Sequence, residues 1–342
     1  MCDIIVMKFP PYYTKQQIKK INVVKPDIFI YDDDFISELK EFILPDSIFY
    51  LLFGKKFNKS IKNFKLPRYL KKIKFGDNFI QSLDYVKFPE TLEIIEFGYN
   101  YNNSLFSVKF PSNLKELILN NEFNCGLPSI LPENLEKLIL GNKFDHSINN
   151  FIVPQKLKFL KINGEDYNKV LFDNLSESLE CLEIVNTLKF DIDLNLPELT
   201  NLIIPRYNKN NLCVNFNKLP KLNYLICSGK VGNQNLFYNL PESLTYLEII
   251  DYLDCDLTNL HYRLEELFLN LKSTENKNFV VMGNGLQQAN IPDYKPKMHK
   301  QTNLPLTLKK IKLSHIELLK YIEKIPYDCI IVDINDKPMA YN

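Results

Sequence analysis

Apolar positions recur along this chain with a long, nearly constant period. The stretch Leu44 to Pro67, LPDSIFYLLFGKKFNKSIKNFKLP, closes on the Leu-Pro pair with which it opens, and a second copy follows. Aligned on the residue three places after that pair, the copies fall at Ile48, Leu70, Leu92, Leu114, Leu135, Leu157, Leu179, Leu199, Leu222, Leu244 and Leu264, in steps of 20 to 23 residues. Apolar residues follow three and five places later, as at Leu51 and Phe53, Ile73 and Phe75, or Leu117 and Leu119. That alternation is one face of a short strand.

Glycine stands just after the strand at Gly54, Gly76, Gly98 and Gly141, where a residue without Cβ permits positive φ. An aromatic comes next at Phe57, Phe79, Tyr101, Phe123 and Phe144, expected to fill the coil interior, usually followed by an Asn or Asp that caps turn backbone. Two further inward rows are expected at Ile61, Leu83, Leu105, Leu127 and Ile148 and at Phe64, Val86, Val108, Ile130 and Phe151; Leu66, Phe88, Phe110, Leu131 and Val153 form a third. One such coil encloses no core, so its inward residues pack only against neighbouring coils. The period and the LxxLxL core predict a repeat solenoid of the leucine-rich-repeat kind. It would have about 13–14 coils, short parallel strands on one face and a mostly irregular convex side.

Residues 1–43 are expected to form an N-terminal segment and a degenerate capping coil, with Phe35 and Leu39 in register and a short amphipathic helix over Thr14 to Ile21. Residues 44–269 are the solenoid proper, with a less regular convex side where the aromatics Tyr167, Phe190 and Tyr207 keep no register. Residues 270–304 read either as a degenerate coil, with Leu286, Ala289 and Ile291 as a weak strand, or as a loop insertion. Residues 305–342 complete the array. A helix over HIELLKYIEKI, with Ile316, Leu319, Tyr321 and Ile322 on its apolar side, and a last strand ending at Ile334 would cap the open end.

Together these positions spell LPxxLxxLxFGxxFNxSI at 22-residue spacing, which resembles the FNIP repeat, a relative of the leucine-rich repeat. The likeness is best over the five coils from Leu44 to Val153 and is traceable to about Ile334. Where that motif commonly has proline two places after the Asn, this chain has Ser60, Ser82, Ser104, Gly126 and Ser147. The resemblance implies a solenoid and, by analogy, a protein-interaction role. Some members of the family carry an F-box ahead of the repeats; the roughly 22 residues before the first recognisable coil are too few for one. An adaptor in ubiquitin transfer is therefore the alternative to a plain scaffold.

Composition sharpens the picture. Lys plus Arg number 42 and Asp plus Glu 41, and a net charge of +1 argues against nucleic acid or an anionic membrane bound mainly through charge. The seven cysteines are scattered without a CxxC, and the N-terminus MCDIIVMK lacks the form of a signal peptide, so an intracellular, cytoplasmic setting is expected. No nucleotide, hydrolase or zinc motif is present, and SGKVGN at Ser228 to Asn233 reads as a turn. His146, His261, His299 and His315 stand too far apart to suggest a metal site. No catalytic residue, cofactor or metal is expected.

The free positions of the strands carry what remains. Directly after each anchoring leucine the chain reads Lys71, Glu93, Lys115, Glu136, Lys158, Glu180, and the pairs Lys74 with Glu96 and Lys161 with Glu183 repeat the alternation. On parallel strands about 4.8 Å apart these opposite charges face one another and satisfy each other, fixing register. Where the ladder lapses the outward positions are apolar, at Ile118, Ile139, Phe159, Ile203, Tyr224, Ile226, Tyr246 and Phe268. That row is the candidate interaction surface on the concave face, for a protein partner.

Overall fold

A computed structural model describes residues 5–9, 26–33, 43–144, 152–163, 174–185, 187–188, 194–204, 206–207, 214–229, 240–253, 257, 260, 262–271 and 304–340. The chain divides into two compact units, Met1–Asn186 and Thr187–Asn342.

The first unit is a parallel ladder of β1 (Val6–Phe9), β2 (Ile28–Tyr31), β3 (Tyr50–Leu52), β4 (Lys72–Lys74), β5 (Ile94–Glu96), β6 (Glu116–Ile118), β7 (Lys137–Ile139), β8 (Phe159–Asn163) and β9 (Cys181–Val185). Each strand pairs with the next in one register, Leu51 beside Ile73, Ile73 beside Ile95 and Ile95 beside Leu117. Between strands each coil closes through three tight turns. Gly54 O accepts from Phe57 N at 3.0 Å, Ile61 O from Phe64 N at 3.0 Å and Pro67 O from Leu70 N at 3.2 Å. The Leu-Pro pair is conformationally useful because proline fixes φ where the turn begins and its carbonyl still accepts.

The expected inward positions of the first coils are buried, including Ile48, Leu51, Phe53, Phe57, Ile61, Phe64 and Leu66. The aromatics form a continuous column: Phe57, Phe79, Tyr101, Phe123 and Phe144 stack with centroids 5.8 to 6.3 Å apart and planes within 9°. A second column, Tyr31, Phe53, Phe75 and Phe97, packs beside it, with Phe53 4.2 Å from Phe57 and Phe75 4.3 Å from Phe79. Large rings in register supply the apolar area that no single coil provides.

Several expectations are corrected. The glycines do not adopt positive φ; a Cβ on Gly76 would lie 1.8 Å from the carbonyl oxygen of Gly54, and one on Gly98 1.8 Å from that of Gly76. Glycine is needed because successive coils approach backbone to backbone. Where the motif has Asn120 instead, its side-chain amide donates to the Phe97 carbonyl of the coil before. Ile130 is 67% exposed rather than inward. The return stretch of its coil is one residue shorter, so Ile130, like the exposed Ile152, stands directly before the last inward residue, where other coils carry the exposed Lys65, Lys87 and Lys109. The same shortening leaves Leu127 half-buried. Ser60, Ser82 and Ser104 replace proline by accepting from the amide two residues on, at 3.2 to 3.3 Å. The array also begins earlier than the sequence suggests, since β1 pairs with β2, Val6 beside Ile28. Phe35, Leu39, Ile148, Phe151, Tyr167, Phe190 and Thr14 to Ile21 lie outside the described residues.

The second unit contains β10 (Thr187–Leu188), β11 (Asn201–Ile204), β12 (Arg206–Tyr207), β13 (Tyr224–Gly229), β14 (Tyr246–Leu253), β15 (Glu266–Leu271), β16 (Lys310–Leu313) and β17 (Ile330–Val332). Strands β11, β13, β14, β15, β16 and β17 pair in that order, all parallel, while β10 and β12 form a separate short pair. Glu266 pairs directly with Lys310, 44 positions later, so β16 follows β15 in this ladder; residues 272–303, with Leu286, Ala289 and Ile291, lie outside the described residues. Near the C-terminus the expected helix is a six-residue 3-10 helix, Ile316–Tyr321. Of the expected apolar side, Ile322 is buried just past the helix, Leu319 and Tyr321 are half-buried and Ile316 is 58% exposed, while the tighter winding buries Leu318 instead. Helix is otherwise confined to the 3-10 turn Phe216–Lys218 among the described residues.

Candidate functional site

Because inward side chains alternate with outward ones, strands β2 to β9, β11 and β13 to β16 present their first and third residues on the solvent side of the ladder. All eight candidate residues lie on that side and are half-buried. In the first unit Ile118 and Ile139 are neighbours, bounded by Glu96 and Lys161, while Phe159 stands beside Lys137, whose Nζ sits 5.4 Å from its ring centroid. Much of the rest of that face is ionic, although Ile28, Ile30, Tyr50, Leu52, Ile94 and Cys181 also stand at its outward positions. Lys71 and Lys115 flank Glu93 at 3.7 and 2.9 Å, Lys72 and Lys74 meet Glu96 at 2.9 and 2.6 Å, Lys161 meets Glu183 at 2.5 Å and Lys158 meets Glu180 at 3.3 Å. Burial pushes the Glu96 carboxyl up, but hydrogen bonds from Lys74 and Lys72 outweigh it and hold the group below its ordinary value.

The second unit presents a different surface. Asn201, Tyr224 and Tyr246 lie side by side in one column, with Ile203 and Ile226 adjacent in the other. The Tyr224 and Tyr246 rings stack at 4.3 Å with planes 6° apart. Glu248 is the single charge among these positions; it accepts from the Tyr246 hydroxyl at 3.2 Å and from Asn270 Nδ2 at 2.8 Å. Burial, reinforced by Glu248, pushes the Tyr246 phenol far up, so it is a neutral donor. Phe268 closes the patch under Lys312 Nζ at 5.4 Å, beside the ion pairs Lys310–Glu266 at 2.9 Å and Lys312–Asp336 at 3.0 Å. A recess of about 90 Å³ between Tyr246, Phe268, Lys310 and Asp336 is well below the 300 Å³ or more of a small-molecule site. The tyrosine stack escaped sequence reasoning, although the coincidence of two tyrosines at one position of successive coils signals it.

The amides after the core aromatics act between coils. Asn58 Oδ1 accepts from Ile80 N at 3.1 Å and Asn102 Oδ1 from Asn124 N at 2.8 Å. Cys181 is half-buried and Cys227 buried, and burial pushes the Cys181 thiol up to about 11. Among the described residues no group of three or more His, Cys, Asp or Glu side chains could hold a metal, and no helix is long and apolar enough to cross a membrane.

Coils of about 22 residues, parallel strands, little helix and a core of leucines and stacked aromatics define a parallel β-solenoid of the leucine-rich-repeat type. More particularly, the FNIP Repeat family model matches residues 57–100 and 126–165, so those two stretches are FNIP repeats. Among solved structures it is similar to CroV588, described as a novel circular LRR protein, with a TM-score of 0.55 and 22% sequence identity. The likeness covers 96% of this chain and 43% of that one, so the chain spans less than half of that protein's length; at this identity the comparison establishes the fold. No curated protein matches the chain in sequence.

Proposed function

We propose that the chain is a non-enzymatic scaffold that binds another protein through the outward face of its strands. The contact centre is the uncharged patch of the second unit, Ile203, Tyr224, Ile226 and Tyr246 with Phe268 at its margin; Ile118, Ile139 and Phe159 form a smaller patch on the first. The observation that carries this reading is the change in chemistry along the strand face. Elsewhere outward charges are matched across neighbouring strands, which stabilises the ladder and offers a partner little. Over β11, β13 and β14 the outward positions Asn201, Ile203, Tyr224, Ile226, Tyr246 and Ile250 are aromatic, β-branched or amide, with Glu248 the one charge among them, a composition like that of the charge-depleted cores of protein interfaces. Stacked, half-buried tyrosines present rigid area with a polar tip at low entropic cost.

The test is substitution of Ile203 and Ile139 by Asp, one at a time, in pull-downs from the native cell. Both positions are outward, so folding, monitored by circular dichroism, is retained. Ile203→Asp is expected to abolish recovery of the specific partner and Ile139→Asp to weaken it. Unchanged partners with intact folding would eliminate this reading.

A further inference from the structure

Every pairing in both main ladders is parallel, but the outer edge of β17 is met by an antiparallel segment. Val332 bridges Pro338 antiparallel, Met339 N donates to Ile331 O at 2.9 Å and Asp333 N to Lys337 O at 2.9 Å. The reversal is made by a tight turn in which Asp333 O accepts from Asp336 N at 3.0 Å. Asp333 Oδ1 accepts from Asn335 N at 2.8 Å and Lys337 N at 2.9 Å, and Asp336 takes φ 60°, a conformation Asp tolerates better than most residues. Asp336 also reaches back over the strand face to Lys312 at 3.0 Å and Lys310 at 3.7 Å. The segment is thus pinned at its turn by side chains, closed at its base by the Asp333 N–Lys337 O bond and joined to β17 by the Met339 N–Ile331 O bond. Pro338 sits at the bridge and offers no N–H, which makes the segment itself a poor template for further pairing.

We propose that residues 333–340 are a releasable strap that guards the edge of β17, and that opening it lets β17 pair antiparallel with β17 of a second copy of this chain. An unguarded strand edge templates pairing with another strand. A two-fold axis through such an edge makes the paired strands antiparallel, and the strap already shows that this edge accepts an antiparallel neighbour. The same strand leaves Ile330 53% exposed, with Tyr327 88% exposed just before it, apolar area that a symmetric partner would cover.

The test uses the full chain with Asp333→Ala and Met339→Pro combined, which removes the carboxylate of the turn and the Met339 donor, and separately Lys312→Glu, which repels Asp336 without altering the β17 backbone. Hydrogen exchange reads the strap at the Asp333 amide, bonded to Lys337, and β17 itself at the Ile330 amide, bonded to Lys309 at 3.0 Å. In dilute solution the double variant is expected to lose about tenfold or more of the protection at Asp333 while Ile330 keeps its protection. As concentration rises, sedimentation velocity is expected to show a doubling of mass relative to the parent chain, with the Asp333 amide re-protected in the dimer; Lys312→Glu should give the same change more weakly. An opened strap with parental mass at every concentration would overturn the proposal. Loss of protection at Ile330 together with Asp333 would overturn it too, because the strap would then be part of the last coil rather than a releasable cover.

Discussion

Tyr101 supplies a test of the core that needs no partner. Its ring is 1% exposed and stacks between Phe79 at 6.0 Å and Phe123 at 6.3 Å, yet its hydroxyl has no hydrogen-bond partner among the described residues. Burial, with the nearby Asp84 charge, drives its pKa far above that of a free phenol. A buried hydroxyl without a partner costs about 1–3 kcal/mol of lost hydration, whereas the ring contributes the same stacking with or without it. Phenylalanine occupies this place in four neighbouring coils, so Tyr101→Phe fits without rearrangement. A small void left by the oxygen returns a few tenths of a kcal/mol, and the expected net gain is about 1 kcal/mol. Phe79→Tyr places a hydroxyl in the same column and should destabilise by a similar amount. Equilibrium urea unfolding reads both as opposite shifts of the midpoint at constant slope. A lower midpoint for Tyr101→Phe would refute the reasoning, since it would mean the hydroxyl is hydrogen-bonded in the folded chain.

Gly76→Ala should cost at least about 3 kcal/mol, because its Cβ would meet the Gly54 carbonyl at 1.8 Å, while Gly126→Ala, whose nearest neighbour is Ser104 Oγ at 4.0 Å, should be nearly neutral. Equal urea midpoints for the two would contradict the close approach of coils. Glu93→Lys sets three lysines in a row at 71, 93 and 115 and should lower stability by about 1 kcal/mol at low ionic strength, less as salt is added; a loss that salt does not alter would count against the ladder. The Glu96 carboxyl is depressed in the folded chain, so its contribution is full above the unfolded value near 4.5 and disappears as pH falls through the lower folded value. Glu96→Gln should therefore flatten the acid limb of the stability curve below about pH 4.5, and an identical acid limb for the two chains would contradict that assignment.

The fold was legible because a solenoid repeats its constraints. Eleven anchoring residues at one spacing place strands, turns and inward rows, and the first five coils follow that reading almost position by position. What the pattern does not carry is the reason behind each residue. Glycine is compatible with positive φ and with close backbone approach, and only the neighbouring carbonyl at 1.8 Å distinguishes them. Ile130 departs from its expected row because its coil is one residue shorter after the aromatic; measured back from the proline it falls beside Lys65 and Lys87. β1 lies a full period before Ile28 at Val6, but it lacks the Leu-Pro anchor on which the alignment depends. The candidate surface was legible as positions, since alternation fixes which residues face out. Its division into ionic and uncharged regions depends on which side chains reach one another, as the Tyr224–Tyr246 stack and the covering of Phe159 and Phe268 by lysines show.

The most direct test of the strand face as a binding surface is site-specific photo-crosslinking in the native cell, with the photoreactive residue placed at Ile226 or, as the ionic counterpart, at Lys74. The scaffold account predicts one discrete cross-linked protein from position 226, lost when Ile203→Asp is added, and no matching product from position 74. The same product from both positions, or a product from 226 that survives Ile203→Asp, would contradict it.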